Sequence, residues 1–251
     1  MAMIYNNILD INFEKNNVPI IIPTHDNPTY MNNTVNFFKN KNHDFIIVLD
    51  NNSKTEKMID ALNNLDSEIY TILQKNNCGP RQILNDNLIW NALPNIFILT
   101  DPDLGFSKDF PNNFCEELIE ISNIYSAGKV GSALNIDILE PNVIDDIFFI
   151  NGSHITIRGV EEPYFFNYVG EYNNSKIYEA PIDTTFALYN KSHSQKSLRV
   201  AGKYLAEHYG WYKNPPIPQS EIYDYLSSLE QDVISLGGLT ETVKRYERYT
   251  R

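Results

Sequence analysis

Cysteine is nearly absent: the 251 residues contain two, Cys78 and Cys115. Two isolated thiols build no disulfide framework, and their spacing fits no cysteine-based metal site. A reducing, cytoplasmic setting is therefore expected. Basic residues are also scarce, with 20 Lys and Arg against 32 Asp and Glu and a formal net charge of −12. That deficit argues against nucleic acid as a partner, because neutralising phosphates supplies most of such affinity. It leaves open a small anion held in a locally positive pocket. No apolar run approaches the roughly 18 residues needed to cross a bilayer. The opening stretch MAMIYNNILDINFEKNN lacks the apolar core of a signal peptide. No internal repeat or linker is visible, and abundant asparagine reads as background composition.

What is present is a core. Hydrophobic residues make up 42% and aromatics 12% of the chain, enough for one large folded domain and too much for disorder. The first half alternates regularly. Short apolar runs at 18–24 (VPIIIPT), 44–51 (DFIIVLDN), 68–74 (EIYTILQ) and 95–101 (NIFILTD) read as strands. Between them Met31, Val35 and Phe38, then Met58, Leu62 and Leu65, then Ile83, Leu84, Leu88 and Leu93 fall at helical spacing. Phe114, Leu118, Ile121 and Tyr125 mark a further helix before a strand at 129–135. Continuous apolar strands alternating with amphipathic helices imply an α/β fold, its sheet mostly parallel and covered on both faces.

Open sheets of this kind bind ligands beyond the carboxyl ends of their strands. Those ends here are all polar: Pro23-Thr24-His25-Asp26, Asp50-Asn51-Asn52-Ser53, Gln74-Lys75-Asn76-Asn77 and Thr100-Asp101-Pro102-Asp103. Asp101 and Asp103 point the same way in an extended segment, with Pro102 fixing the backbone between them. Two such carboxylates suit a hard divalent ion, Mn²⁺ or Mg²⁺, shared with substrate phosphates. Asp50 and Asn52 could hydrogen-bond a base and ribose, or simply cap a helix. Arg81, opening a helix after Gly79-Pro80, offers a guanidinium to a diphosphate.

Taken in order, PIIIPTHDNP, VLDNNS, NNCGPRQILND and ILTDPDL resemble the motif series of GT-A fold nucleotide-sugar glycosyltransferases, in particular the bacterial family-2-like enzymes that build surface polysaccharides. The resemblance covers about residues 18–135. It implies a GT-A-like, Rossmann-type mixed sheet flanked by helices, with a C-terminal helical lid. It further implies a donor half at 18–135, an acceptor half at 136–191 and a helical extension at 192–251. By the same resemblance Pro23, Thr24 and Asp26 lie against the nucleoside, Asp50 recognises the base, and Arg81 lies near the base or diphosphate. Asp101 sits near the ribose and Asp103 ligates the metal. The segment VAGKYLAEHYGWY resembles an element that closes over the diphosphate, which makes His208 a candidate to complete the metal shell.

The implied activity is hexosyltransferase-like. It moves a sugar from a nucleotide-sugar donor, UDP-sugar favoured, to a hydroxyl of a glycan or lipid-linked glycan acceptor. Such transfer needs a base near the acceptor hydroxyl. Asp183 in PIDTTF is the candidate, with inversion as the consequence, and Asp145, Asp146, Glu161 and Glu162 are rivals. The Glu-Asp pair usual in the family at a helix start is not evident, which leaves base and stereochemistry open. Lys203 reads as a solvated lysine rather than a phosphate ligand. The tail TVKRYERYTR gathers Lys244, Arg245, Arg248 and Arg251 with two tyrosines. It reads either as a helix end whose cations complement the dipole or as a peripheral contact with the inner face of a membrane. Two other functions fit less well. A nucleotidyltransferase of related fold wants a Gly-rich turn and a lysine after the first strand, and a binding module would keep the site without turnover.

Overall fold

The structure, a computed structural model, describes residues 3–13, 17–137, 148–150 and 153–228. Asp145, Asp146 and the basic tail lie outside the described residues. In chain order the elements are β1 Met3–Tyr5, β2 Ile20–Thr24, α1 Pro28–Asn40, β3 Ile46–Asp50, α2 Glu56–Asn63, β4 Tyr70–Leu73, α3 Gln82–Asn85, α4 Asn87–Ala92, β5 Ile96–Leu99, β6 Leu104–Phe106, α5 Phe114–Tyr125 and β7 Ala127–Ser132. The second half adds β8 Phe148–Ile150, β9 Ser153–Ile155, α6 Ile157–Glu161, β10 Tyr168–Tyr172, β11 Ser175–Glu179, β12 Ala187–Asn190, β13 Ser194–Val200, β14 Ala206–His208 and α7 Gln219–Ser228.

A ten-stranded sheet, ordered β1-β4-β3-β2-β5-β12-β7-β13-β11-β10, runs through the molecule. Only β12 and β11 run against the other strands. It is the mixed, mostly parallel, helix-flanked sheet that the apolar runs imply. Alternation along each strand divides the core between the two faces. Ile20, Ile22, Ile46 and Val48 pack on one face against Met31, Val35 and Phe38 of α1 and Met58 and Leu62 of α2. Ile21, Ile47 and Leu49 pack on the other, with Ile83, Ile89 and Leu93. Both faces are buried, so the strands read as continuous apolar runs with no polar alternation.

Two local readings change. The helix expected across Ile83–Leu93 is broken at Asp86, whose carboxylate accepts from the Leu88 and Ile89 amides and starts α4 afresh. The C-terminal portion, expected to be helical from Ser192, first supplies strand. β13 pairs in parallel with β7 and antiparallel with β11, burying Leu198 and Val200. Gly202, at φ +66, turns the chain towards β14, and helix begins only at Gln219. Sheet pairing on both sides of β13 decides its form. Helix α7 then lies across the starts of α1 and α2. Glu221 accepts from the Thr29 amide and hydroxyl, and Lys57 pairs with Asp224.

Phe186, fully buried at the entrance to β12, has its ring 5.3–6.1 Å from those of Phe38, Phe106, Phe110 and Phe114. It pins the start of β12 to α1, β6 and α5. Phe186→Ala should cost about 3–5 kcal/mol of unfolding free energy, as deletion of a buried aromatic does, read as a lower midpoint with unchanged slope in urea titration.

Candidate metal and diphosphate site

The site begins where β5 ends. Leu99 is the last strand residue, and the chain turns through Asp101-Pro102-Asp103 into β6. Pro102 is anchored there, its carbonyl accepting the buried Thr34 hydroxyl of α1 at 2.7 Å. β6 then pairs antiparallel with β14, and in that register His208 lies opposite Leu104. The ribbon is fastened at its tip by the Tyr209 amide, which donates to the Asp103 carbonyl at 2.8 Å. Two small residues permit the approach. A Cβ on Gly105 would fall 2.1 Å from the Tyr209 hydroxyl, and one on Gly210 would fall 2.6 Å from Asp103 Oδ2. A stretch about a hundred residues downstream thus delivers an imidazole to the two aspartates.

In that arrangement His208 Nδ1 lies 3.6 Å from Asp103 Oδ2 and His208 Nε2 lies 4.0 Å from Asp101 Oδ2. One ligand atom from each of Asp101, Asp103 and His208 falls within 4.8 Å of the others. Atoms bound about 2.1 Å from a common ion lie about 3–4 Å apart, so a small adjustment brings the three into one coordination shell. His208 Nδ1 is buried and has no hydrogen-bond partner, while stacking on Trp211, with centroids 4.7 Å apart, holds the ring in place. Burial, and after it the neighbouring Asp103 carboxylate, pushes the Asp101 carboxyl up to about 7. A cation between the aspartates removes that repulsion. The donor set therefore fits a divalent metal ion: two carboxylate oxygens and an imidazole nitrogen.

A second group of charges adjoins the first. Because β12 runs against β5, its entry loop, residues 181–186, emerges at the same edge of the sheet. Thr184 Oγ1 donates to Asp101 Oδ2 at 2.9 Å. Lys129 of β7 donates from Nζ to the carbonyls of Ile182 and Asp183, both at 2.7 Å, and Arg199 of β13 donates from Nε to Pro181. Burial drives the Lys129 ammonium down to about 8, against the pull of Asp183 and Asp101. Arg81 grips the Asp183 carboxylate with two bonds, Nε at 3.1 Å and Nη2 at 2.6 Å. Helix α3 behind it has only four residues, so Arg81 acts as a guanidinium without an appreciable helix dipole.

The other residues singled out in the sequence lie along the same edge but are differently engaged. In register, Thr24 is opposite Asp50, which is opposite Leu73, so the ends of β2, β3 and β4 line up. Asp26, fully buried at φ 47, accepts from the amides of Lys54 and Thr55 and from the Thr55 hydroxyl. Asp50 accepts from the Ser53 amide and hydroxyl. Both aspartates thus shape the loop 51–55, and Asn52, at φ 60, receives Lys54 Nζ. Thr24 bonds Asn27, and Pro23 is buried within β2. Glu161 forms a buried ion pair with Arg199 at 2.5 Å, and Lys203 pairs with Glu117 rather than with solvent. Glu162 lies on the surface.

Lys129, Thr184, Arg199 and Trp211 escaped the sequence reading. Lys129 had a legible signal, a lone cation inside the small and apolar run AGKVGSAL. Thr184 stands beside Asp183, and nothing local marks Arg199 or Trp211.

Titration calorimetry should detect one Mn²⁺ per chain. Loss of even an outer partner of a metal site costs about 10–100-fold in affinity, so Asp103→Ala should abolish measurable binding and His208→Ala should cost at least tenfold. Asp26→Ala should instead lower unfolding free energy by about 2–4 kcal/mol, because it strands buried donors of the loop, and leave Mn²⁺ affinity close to that of the intact chain.

No protein-family model matches the chain, and no curated protein matches it. Solved structures with a similar backbone include GalNAc-T7 with UDP, GalNAc and Mn²⁺, at 12% identity and a TM-score of 0.48 over 94% of this chain and 55% of that one. The WbbM bifunctional glycosyltransferase in its apo form aligns at 12% identity and TM-score 0.37, over 72% of this chain and 32% of that one. The galactosyltransferase LgtC, in complex with donor and acceptor sugar analogues, aligns at 13% identity and TM-score 0.35, over 88% of this chain and 70% of that one. The chain spans about half the length of the GalNAc-T7 chain it is compared with.

Proposed function

We propose that the protein is a metal-dependent glycosyltransferase of the GT-A type, moving a sugar from a nucleoside-diphosphate donor to an acceptor hydroxyl. The observation that carries this reading is the Asp101–Asp103–His208 cluster, sharing one sheet edge with Arg81, Lys129 and Asp183. Asp101, Asp103 and His208 would hold the cation. An imidazole in the shell favours Mn²⁺ over Mg²⁺, which prefers oxygen ligands and water. Bound there, the metal would supply positive charge to the oxygens of the departing diphosphate. Arg81 adds a planar donor for the same oxygens. Asp183 accepts the proton of the acceptor hydroxyl as that oxygen bonds to the anomeric carbon, and the bonding pair of the departing link goes to the nucleoside diphosphate. One displacement with a carboxylate base inverts the anomeric centre.

The nucleoside would lie along Pro23, Thr24, Asp50 and Asn52, with Asp26 supporting the loop beneath, and uridine is the favoured base. The acceptor would enter over the 153–186 side, where Phe166 and Tyr168 are exposed, as a glycan or lipid-linked glycan of surface-polysaccharide type. Work at the inner face of a membrane would involve the basic tail. Among the described residues no helix is long and apolar enough to cross a membrane.

Incubation with UDP-sugars and Mn²⁺ should release UDP, with transfer accelerated by a glycan acceptor. Asp103→Ala should lower release by about two to three orders of magnitude, the usual scale for losing a main electrostatic contributor. Binding of sugar nucleotides with no release across a donor panel would favour the non-catalytic module, and absence of both binding and release would overturn the reading.

A further inference from the structure

We propose that the Arg81–Asp183 ion pair is a donor-operated latch: a nucleoside diphosphate entering with its metal draws Arg81 off Asp183, freeing that carboxylate only when the donor is seated. The inference rests on the functional reading above and adds an order of events to it. In the structure Arg81 engages both oxygens of Asp183, so the pair has to part before that carboxylate can take a proton from an acceptor hydroxyl.

Two observations make this pair exchangeable where others are not. First, its side chains are 56% and 60% exposed, whereas those of the nearby Arg199–Glu161 pair are 5% and 6% exposed. An exposed pair has little net strength because water solvates either partner once it leaves, while a buried pair strands a charge when it opens. A diphosphate offers the guanidinium the same paired-oxygen geometry with greater charge. Second, the loop carrying Asp183 does not depend on Arg81. Lys129 holds the carbonyls of Ile182 and Asp183, Arg199 holds that of Pro181, and Thr184 holds Asp101. Releasing the carboxylate therefore moves a side chain and leaves its backbone in place. The Arg81 side chain, largely exposed, has room to move, and it already feels the charge of Asp101 at the metal cluster. A swing from Asp183 towards the aspartate pair carries it in the direction a metal-bound diphosphate would lie.

The consequence is ordered binding: Asp183 becomes available to an acceptor hydroxyl after the donor has taken Arg81. The test is a double-mutant cycle in calorimetric binding of UDP with Mn²⁺. Breaking an exposed pair is worth about fivefold at most, so Asp183→Asn and Asp183→Ala should each bind UDP·Mn²⁺ about three- to fivefold more tightly than the intact chain. Arg81→Ala should bind more weakly, and Asp183→Asn added to Arg81→Ala should give no further gain. Equal or weaker binding by both Asp183 variants overturns the latch. Equal tightening with and without Arg81 overturns it as well, since removal of plain anion repulsion would then explain the gain. If the intact chain fails to bind UDP·Mn²⁺ at all, the functional reading falls and the latch falls with it.

Discussion

Two carboxylates one residue apart at the end of a buried strand repel each other, and the rim of this sheet is organised around that repulsion. Asp101 sits in surroundings that favour its protonated form, with Asp103 adding to the cost of its charge. Four groups answer that cost. Thr184 donates to Asp101, the His208 imidazole stands against both aspartates, and Lys129 and Arg81 lie within electrostatic reach. Neither Lys129 nor Arg81 bonds either aspartate: Lys129 donates to backbone carbonyls and Arg81 to Asp183. His208 keeps a buried nitrogen without a partner, which is what a ligand awaiting a cation requires.

The antiparallel strands make this possible. In a purely parallel sheet every strand presents its carboxyl end to the rim, and each loop there leads away into a helix. β12 reverses that rule and brings its entry loop to the rim, with Asp183 and Thr184 on it. The β6–β14 ribbon does the same for His208. Asp183 and Thr184 on one side and His208 on the other thereby come from stretches of chain remote from the first four strands, the first held by Lys129 and Arg199 and the second by the β6–β14 ladder. Phe186 ties the two arrangements together, since it is rooted in the aromatic cluster under β6 and opens β12.

The parallel half was legible because its signals are local. Apolar runs of five or so residues ending in aspartate name both the strand and its functional end, so β2, β3 and β5 and the pair Asp101 and Asp103 could be read directly. Breaks such as Asp86 turn on a single capping side chain, and a spacing pattern that continues through it hides the boundary. The second half was less legible because its structure depends on partners distant in sequence. The stretch from Ser194 to His208 carries no local strand signal, yet pairing of β13 with β7 and β11, and of β14 with β6, decides its form. The roles of Asp26 and Asp50 illustrate the same limit. Their position at the rim was visible, but that their carboxylates turn inward to the loop 51–55 follows from the turn geometry there, with Asp26 and Asn52 at positive φ, which spacing does not encode.

Charge at the rim also bears on what can enter it. Asp101, Asp103 and Asp183 outnumber Arg81 and Lys129, and Glu161 with Arg199 cancels within its own buried pair. The whole chain is negative at −12, so without a cation at the rim a free diphosphate would be repelled on approach. A divalent ion between the aspartates reverses the sign where the diphosphate oxygens would sit. On the proposed function metal and donor would bind as mutually dependent partners, each raising the affinity of the other by the same factor. On this view the scarcity of basic residues is part of how the site discriminates. Polyanions that carry no metal would meet an acidic surface, and on the proposed function the two cations at the rim would act on an anion that arrives with its own positive charge.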